Sequence, residues 1–262
     1  YDLKAMGHNS APYLHHLIEA KKLAYADLTR FVGDADHLAM PAEQMLTDEF
    51  IAERRSHLNP LRAQEQVDPG PLRTKSETVY LTVADAEGNM VSFINSIYDY
   101  FGSGIVVPGY GLSLQNRGHG FSLKAGSPNQ VTPGKRPFHT IIPAFLTKDG
   151  QPVMSFGVMG GNMQPQGHMQ TLVRMLDYGQ NPQAACDAPR WRYNAGLEIN
   201  VEAAMDPATV QALAGRGHRM EVINDSYQDF GAGQFIWKAG DTKVEGYVAA
   251  SDSRRDGLAA GF

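Results

Sequence analysis

Cysteine is nearly absent: the chain has a single one, Cys186, in 262 residues. An internal disulfide is thereby excluded, and stability has to come from packing. Cys186 itself reads as a small buried apolar residue. Long apolar runs are also missing, and none approaches the length of a membrane span. Charge of one sign is missing too, with 23 basic against 28 acidic residues and a net charge of −5. The basic residues gather into no stripe, which argues against a nucleic-acid partner. There is no Gly-x-Ser-x-Gly elbow, no Walker loop and no His-Glu-x-x-His pair. Gly134-Lys135-Arg136-Pro137 lacks the glycine-rich lead-in of a phosphate loop. The 9 histidines are scattered, with His15 and His16 on different helix faces, so neither a metal nor another cofactor is expected. An initiator Met and a signal peptide are likewise missing. The chain is expected to be the C-terminal portion of a longer precursor, so the lack of a targeting signal says nothing about compartment. A cytoplasmic protein is the working expectation, with the periplasm left open.

What is present is enough for one large core or two small ones, since 42% of the residues are hydrophobic. From Ser10 to Phe31 the pattern is helical: Ser10 can cap, and Leu14, Leu17, Ile18, Ala24, Leu28 and Phe31 recur at three- and four-residue steps before Gly33 stops the helix. A second helix is predicted from Thr47 to about Leu58, closed by Asn59-Pro60. The stretch from Pro60 to Ser76 has no periodicity and reads as an exposed linker. Strands follow at Val79 to Val83 and Met90 to Ile94, turning at Glu87-Gly88-Asn89, and at Ile141 to Thr147 and Pro152 to Val158, turning at Asp149-Gly150. A helix is predicted from Gln166 to Tyr178 with Leu172, Val173 and Leu176 on its apolar face. Asn181-Pro182 and Asp206-Pro207 look like caps followed by proline at the first helical position. The last strands are predicted at Gln234 to Lys238 and Val244 to Ala249. Strand pairs with helices between them imply a layered α+β domain.

Thr78 stands where the polar linker meets the first strand, in Lys75-Ser76-Glu77-Thr78-Val79-Tyr80-Leu81-Thr82-Val83-Ala84-Asp85. Taken alone, a threonine opening a strand is a good strand former and nothing more. Further segments change its meaning. Gly7-His8-Asn9-Ser10 with Val32-Gly33-Asp34, then Phe101-Gly102-Ser103-Gly104-Ile105, Pro133-Gly134-Lys135-Arg136-Pro137, Met159-Gly160-Gly161 and Ser251-Asp252-Ser253-Arg254-Arg255-Asp256-Gly257 occur in this order. Together with Thr78 they resemble the γ-glutamyltransferase family of N-terminal-nucleophile hydrolases. The resemblance implies a four-layer αββα sandwich, with residues 1–77 as the end of the family's large segment and 78–262 as its small segment. The implied partners are the rest of the large segment, in a heterodimer of processed segments or a dimer of these, and a small acidic amide.

The resemblance also implies roles. The bond between Glu77 and Thr78 would be the self-cleavage site. Once N-terminal, Thr78 would be nucleophile and base, because its own α-amine titrates near pH ~8 and can take the hydroxyl proton. Ser96 falls where the family holds the nucleophile with a hydroxyl. Gly160 and Gly161 would offer backbone N–H groups to the developing oxyanion, worth roughly 3–4 kcal/mol per well-placed donor. Without the family, the glycine pair would read as a tight turn after a strand, and Ser96 as an ordinary strand residue.

The pocket departs from the γ-glutamyl pattern. Counted from Thr78 without gaps, Arg117 and Gly120 fall where that pattern has Gln and Asp for the substrate's α-ammonium. His139 and Thr140 fall at its Ser-Ser pair, and Tyr98 replaces an Asn. Two like charges ~4 Å apart repel by ~1 kcal/mol in water and by several in a partly dry site. Arg117 instead suits a carboxylate. The expectation is an amidohydrolase for an oxamate-like, carboxylate-bearing amide, acting through an acyl-threonine. A glutathione hydrolase or γ-glutamyltransferase, a glutaryl-type acylase, and an unprocessed binding protein of the same fold are the alternatives.

Overall fold

The computed structural model describes residues 1–65, 77–225, 227 and 230–261. A one-turn helix α1 (Leu3–Met6) leads into α2 (Ala11–Phe31), whose first turn is closed by Ser10 Oγ accepting from Tyr13 N–H. Gly33 is not the expected capping glycine, for the C-cap is Val32. Gly33 is needed for a close approach instead: a Cβ there would lie 2.4 Å from the carbonyl oxygen of Pro128. Beside it Asp34 accepts from the backbone and guanidinium of Arg136, tying the end of α2 to the distant loop. Helix α3 (Asp48–Ser56) is capped by Thr47. Part of the expected linker is anchored, since Ala63 N–H donates to Arg216 O and Gln64 N–H to the buried Glu19 carboxylate. Its remainder, 66–76, lies outside the described residues.

The antiparallel hairpin β1 (Glu77–Ala84) and β2 (Met90–Tyr98) turns where Asp85 Oδ1 accepts from Glu87 and Asn89 N–H groups. Two short strands, β3 (Val106–Val107) and β4 (Leu112–Ser113), follow as a small ribbon. The second expected hairpin is β5 (Ala144–Lys148) and β6 (Gln151–Met159). It starts later than Ile141 because the Ile142 N–H is taken by the Gln164 side chain. Beyond it lie α4 (Met163–Leu176), α5 (Pro182–Asp187), β7 (Trp191–Ala195), β8 (Glu198–Glu202), α6 (Pro207–Gly215), β9 (Arg219–Ile223), β10 (Ala232–Lys238) and β11 (Tyr247–Ser251). Asn181 and Asp206 cap α5 and α6 as their Pro-preceded sequences imply. Val244 sits in the turn before β11 rather than in the strand.

The layers follow from these contacts. The main sheet runs β11-β10-β6-β5. Helices α4 and α5 cover one face, burying Met154, Phe156, Val158, Met175, Ala185, Phe235 and Ala250. The β1–β2 hairpin packs on the other face. Three layers of the αββα sandwich are thus present among the described residues. The outer face of β1–β2 is apolar and open, with Val79 66%, Leu81 43%, Val83 54% and Phe93 49% exposed. A separate sheet β7-β8-β9 packs with α2 and α6 around Tyr13, Leu14, Ile18, Trp191, Ile199 and Leu213.

Helix α4 keeps part of the expected apolar face, for Leu172 and Val173 pack against the two cores. Leu176 is 54% exposed, whereas Gln166, Gln170 and Arg174 are buried. Gln166 and Gln170, four residues apart, each exchange two hydrogen bonds with the backbone of β7, at Tyr193 and Trp191. A helical step of four spans ~6 Å and a strand step of two spans ~6.8 Å, so the amides substitute for a missing neighbouring strand. Satisfied in this way, polar side chains are stable in the interior.

Cys186 is buried, yet it is not purely apolar. Its thiol lies 3.2 Å from Asp252 Oδ2. Asp252 also accepts from Arg190 at 2.6 Å, Arg254 at 3.0 Å and Gly233 N–H at 2.9 Å. Burial pushes its carboxyl up, but the two guanidiniums and the backbone donors outweigh this and hold it below the usual carboxylate range. A carboxyl depressed in the folded state contributes its full stability above the unfolded value of about 3.9 and loses it as pH falls through the folded value. Asp252→Asn is therefore expected to cost about 3–5 kcal/mol at pH 7 in a urea titration, because it strips buried guanidiniums of their counter-charge. It should also flatten the loss of stability below pH ~4.

Candidate active site

The strand that opens at Glu77 begins with an irregularity. Glu77 pairs with Tyr98 and Val79 with Asn95, so an extra β2 residue is accommodated where Thr78 enters. Thr78 is buried, and its Oγ1 donates to Ser96 Oγ at 3.2 Å. Ser96 Oγ also accepts the Tyr98 N–H at 3.0 Å. Tyr98 takes φ +79°, a conformation that costs a bulky residue about 1–3 kcal/mol and clusters at functional sites.

Arg117 reaches the same place from a single 3-10 turn, Arg117–Gly120. The turn is delivered by Asn116, whose N–H donates to Ile97 O and whose side chain exchanges hydrogen bonds with Asp99. Arg117 is only 9% exposed. Its Nη1 donates to Thr140 Oγ1 at 2.6 Å, its Nη2 to Ser96 O at 3.4 Å, and its guanidinium stands 5.5 Å from the Tyr98 ring centre. Among the described residues no carboxylate pairs with it. Thr140 is held in turn by buried Gln164, which donates to Thr140 O at 2.9 Å while accepting from Ile142 N–H. His139 lies beside them at the surface. Desolvation first, then the Arg117 charge, lowers its pKa, so the ring is neutral at pH 7.

Gly160 and Gly161 end β6 and open α4, their carbonyls accepting from Met163 and Gln164 N–H groups. Their φ values are +129° and +57°, and a Cβ on Gly160 would meet Gly231 Cα at 2.8 Å. Both requirements exclude a side chain there. β1 packs against β6, the strand that ends in this turn. Tyr80 lies over Gly157, and Thr82 bonds Ser155 across the sheets. Carried two residues further back along β1, the same step would bring Thr78 level with Met159, next to the glycine pair. The Thr78 hydroxyl, the Ser96 hydroxyl and the buried Arg117 guanidinium are joined by hydrogen bonds through Ser96, a set of groups that acyl transfer can use.

Thr78, Ser96, Tyr98, Arg117 and Thr140 thus touch one another in sequence, with His139 adjacent and Glu77 placed by its backbone. Asn116, Asp99 and Gln164 escaped the reading of the sequence, and no local pattern marks them. The histidines are less scattered than expected, for His15, Glu19 and His218 bring ligand atoms within 4.8 Å of one another. The two imidazoles are hydrogen-bonded at 2.8 Å, and Lys22 supplies the cation to Glu19 at 2.7 Å.

The chain and its architecture have known counterparts. The family profile described as Gamma-glutamyltranspeptidase matches residues 1–262. The glutathione hydrolase-like YwrD proenzyme of Bacillus subtilis is 36% identical, over 100% of this chain and 50% of that protein. The oxamate amidohydrolase proenzyme of Klebsiella pneumoniae is 33% identical, over 99% of this chain and 49% of its own. The crystal structure of cephalosporin acylase from Bacillus halodurans superposes with a TM-score of 0.88 at 43% identity, over 100% of this chain and 48% of that one. The chain thus spans about half the length of the relatives it matches. With the profile matched from end to end and the sandwich shared with an acylase of the same class, the chain belongs to the gamma-glutamyltranspeptidase family.

Proposed function

We propose that the full-length protein is a self-processing amidohydrolase that cleaves small amides carrying a carboxylate, with Thr78 as nucleophile. The observation that carries this reading is Arg117: a buried guanidinium, without a carboxylate partner among the described residues, one hydrogen bond from the residue that holds Thr78. An uncompensated buried cation attracts an anion, and its planar fork fits a carboxylate.

In the chain described here the Thr78 nitrogen is still an amide to Glu77. Maturation begins when Thr78 Oγ attacks the Glu77 carbonyl carbon and the C–N bond breaks. The acyl group shifts to oxygen, and water then hydrolyses that ester, freeing the Glu77 carboxyl and the Thr78 amine. Residues 1–77 thus become the end of one segment and 78–262 the other. The open apolar face of β1–β2 gives the rest of the large segment a place to pack. In turnover the freed amine takes the hydroxyl proton, Oγ attacks the substrate amide, and Ser96 holds the nucleophile. Gly160 and Gly161 receive the oxyanion, and the leaving amine departs with the proton. Water completes hydrolysis. Arg117, steadied by Thr140 and Tyr98, binds the substrate carboxylate, with neutral His139 at the rim.

The relatives' names support amide hydrolysis as the reaction class. The test is a kcat/KM comparison of oxamate and a glutaryl anilide with the matched γ-glutamyl anilide. The glutaryl compound is expected to exceed the γ-glutamyl compound by at least about tenfold, the cost of ~1.4 kcal/mol of ammonium–guanidinium repulsion. The reverse order would contradict the carboxylate reading.

A further inference from the structure

The space between the β1–β2 hairpin and the main sheet is unusual in being polar where a sandwich core is normally apolar. Every inward residue of β1 at its entering end carries a hydroxyl: Thr78, Tyr80 and Thr82. Each hydroxyl is bonded. Thr82 Oγ1 donates to Ser155 Oγ of β6 at 2.6 Å, and Ser155 Oγ donates back to Val91 O of β2 at 3.1 Å. Tyr80 OH meets Ser92 Oγ of β2 at 2.7 Å. Ser92 Oγ crosses to the main sheet, accepting from Ala144 N–H at 3.0 Å and lying 3.4 Å from Phe156 O. Because Ser92 donates to that carbonyl, Tyr80 is the donor to Ser92, and each hydroxyl proton of the pair has a place to go. The two serines are reciprocal, one reaching from the hairpin to the sheet and the other returning.

The Tyr80 ring adds a steric lock. A Cβ on Gly157 would lie 2.6 Å from it, so the ring fits only over a glycine. Apolar contacts between sheets are non-directional and tolerate sliding, whereas hydrogen bonds of this length do not. Sliding β1 along β6 would carry Thr78 away from the turn at Gly160 and Gly161.

We infer that Tyr80, Thr82, Ser92 and Ser155 form a positioning seam that fixes the register of β1 against β6 and so places the Thr78 hydroxyl at the Gly160–Gly161 turn. The inference rests on the amidohydrolase reading above. None of these residues touches the reacting atoms; they act through Thr78.

The experiment compares Tyr80→Phe, Thr82→Val and Thr82→Ser with the unaltered full-length protein. Its readouts are the rate of cleavage before Thr78 and the kcat, KM and pH profile of the processed enzyme. Tyr80→Phe and Thr82→Val are each expected to slow cleavage and kcat by about tenfold or more, since sub-ångström misplacement is costly to acyl transfer. KM should stay within about twofold and the pH profile should not move, because no titrating group or substrate contact is altered. Thr82→Ser, which keeps the hydroxyl, should restore the rate even if Tyr80→Phe folds poorly. Wild-type rates in both hydroxyl-free variants, or failure of Thr82→Ser to rescue, would overturn the seam while leaving the nucleophile assignment intact. Failure of the unaltered protein to cleave would overturn that assignment and the seam with it.

Discussion

Thr78→Ala in the full-length protein should leave one uncut polypeptide and reduce amide turnover by at least about 10³-fold, as loss of a covalent nucleophile does elsewhere. The expectation comes from the local geometry. Thr78 is buried at a strand irregularity and bonded to Ser96 Oγ. Alanine keeps the backbone and removes the hydroxyl proposed to attack, together with one methyl group. Folding should therefore be little changed, losing on the order of 1 kcal/mol for one hydrogen bond. Thr78→Ser, which keeps the oxygen but not the methyl that restricts χ1, is expected to cut and turn over more slowly than wild type and far faster than alanine. Gel mobility over time and steady-state rates read both effects. A Thr78→Ala protein that still cuts at this bond would move the nucleophile elsewhere.

The second large effect belongs to Arg117. Arg117→Gln should lower kcat/KM for a carboxylate-bearing amide by about 10- to 150-fold, the worth of a charge-assisted hydrogen bond of ~1.5–3 kcal/mol. Arg117→Glu should go further and reverse the preference, because a carboxylate at that place attracts the γ-glutamyl ammonium and repels a substrate carboxylate. Stability gives an independent check. The guanidinium is buried, bonded to Thr140 Oγ1 and Ser96 O, and has no counter-charge among the described residues. Neutralising it should leave the unfolding midpoint unchanged or raise it, in contrast to Asp252→Asn. Selectivity and midpoint falling together would recast Arg117 as a structural residue.

The residues differ in how far the sequence revealed them. Caps were plain: Ser10, Asn181 and Asp206 act within three residues of themselves, so their chemistry is local. The hairpin from Glu77 to Tyr98 was legible for the same reason, although its end at Tyr98 was not, since φ +79° is imposed by tertiary contacts. The sheet β7-β8-β9 escaped notice because its strands are short and its β8–β9 pairing is parallel and non-local. Helix α4 was read correctly at Leu172 and Val173, which pack on the cores, but its buried polar face was missed because hydrophobic periodicity cannot show that Gln166 and Gln170 will be satisfied by a strand edge. The candidate site shows the same division. Thr78, Gly160 and Gly161 came from ordered motifs, Ser96 from its place in the family pattern and Arg117 from its distance from Thr78. Asn116, Gln164 and Ser92 depend on contacts 17 to 64 residues apart that no window of sequence contains.

The measurement that bears most directly on the central claim is the intact mass of the purified full-length protein, with the N-terminal sequence of any fragment. A fragment beginning Thr78-Val79-Tyr80 and extending to the C-terminus is the expected result, since the amine that serves as base exists only after that cut. A protein that is folded, uncut and equally uncut after prolonged incubation would contradict the account. The site would then be the binding pocket of a chain that keeps the family's sandwich without its chemistry.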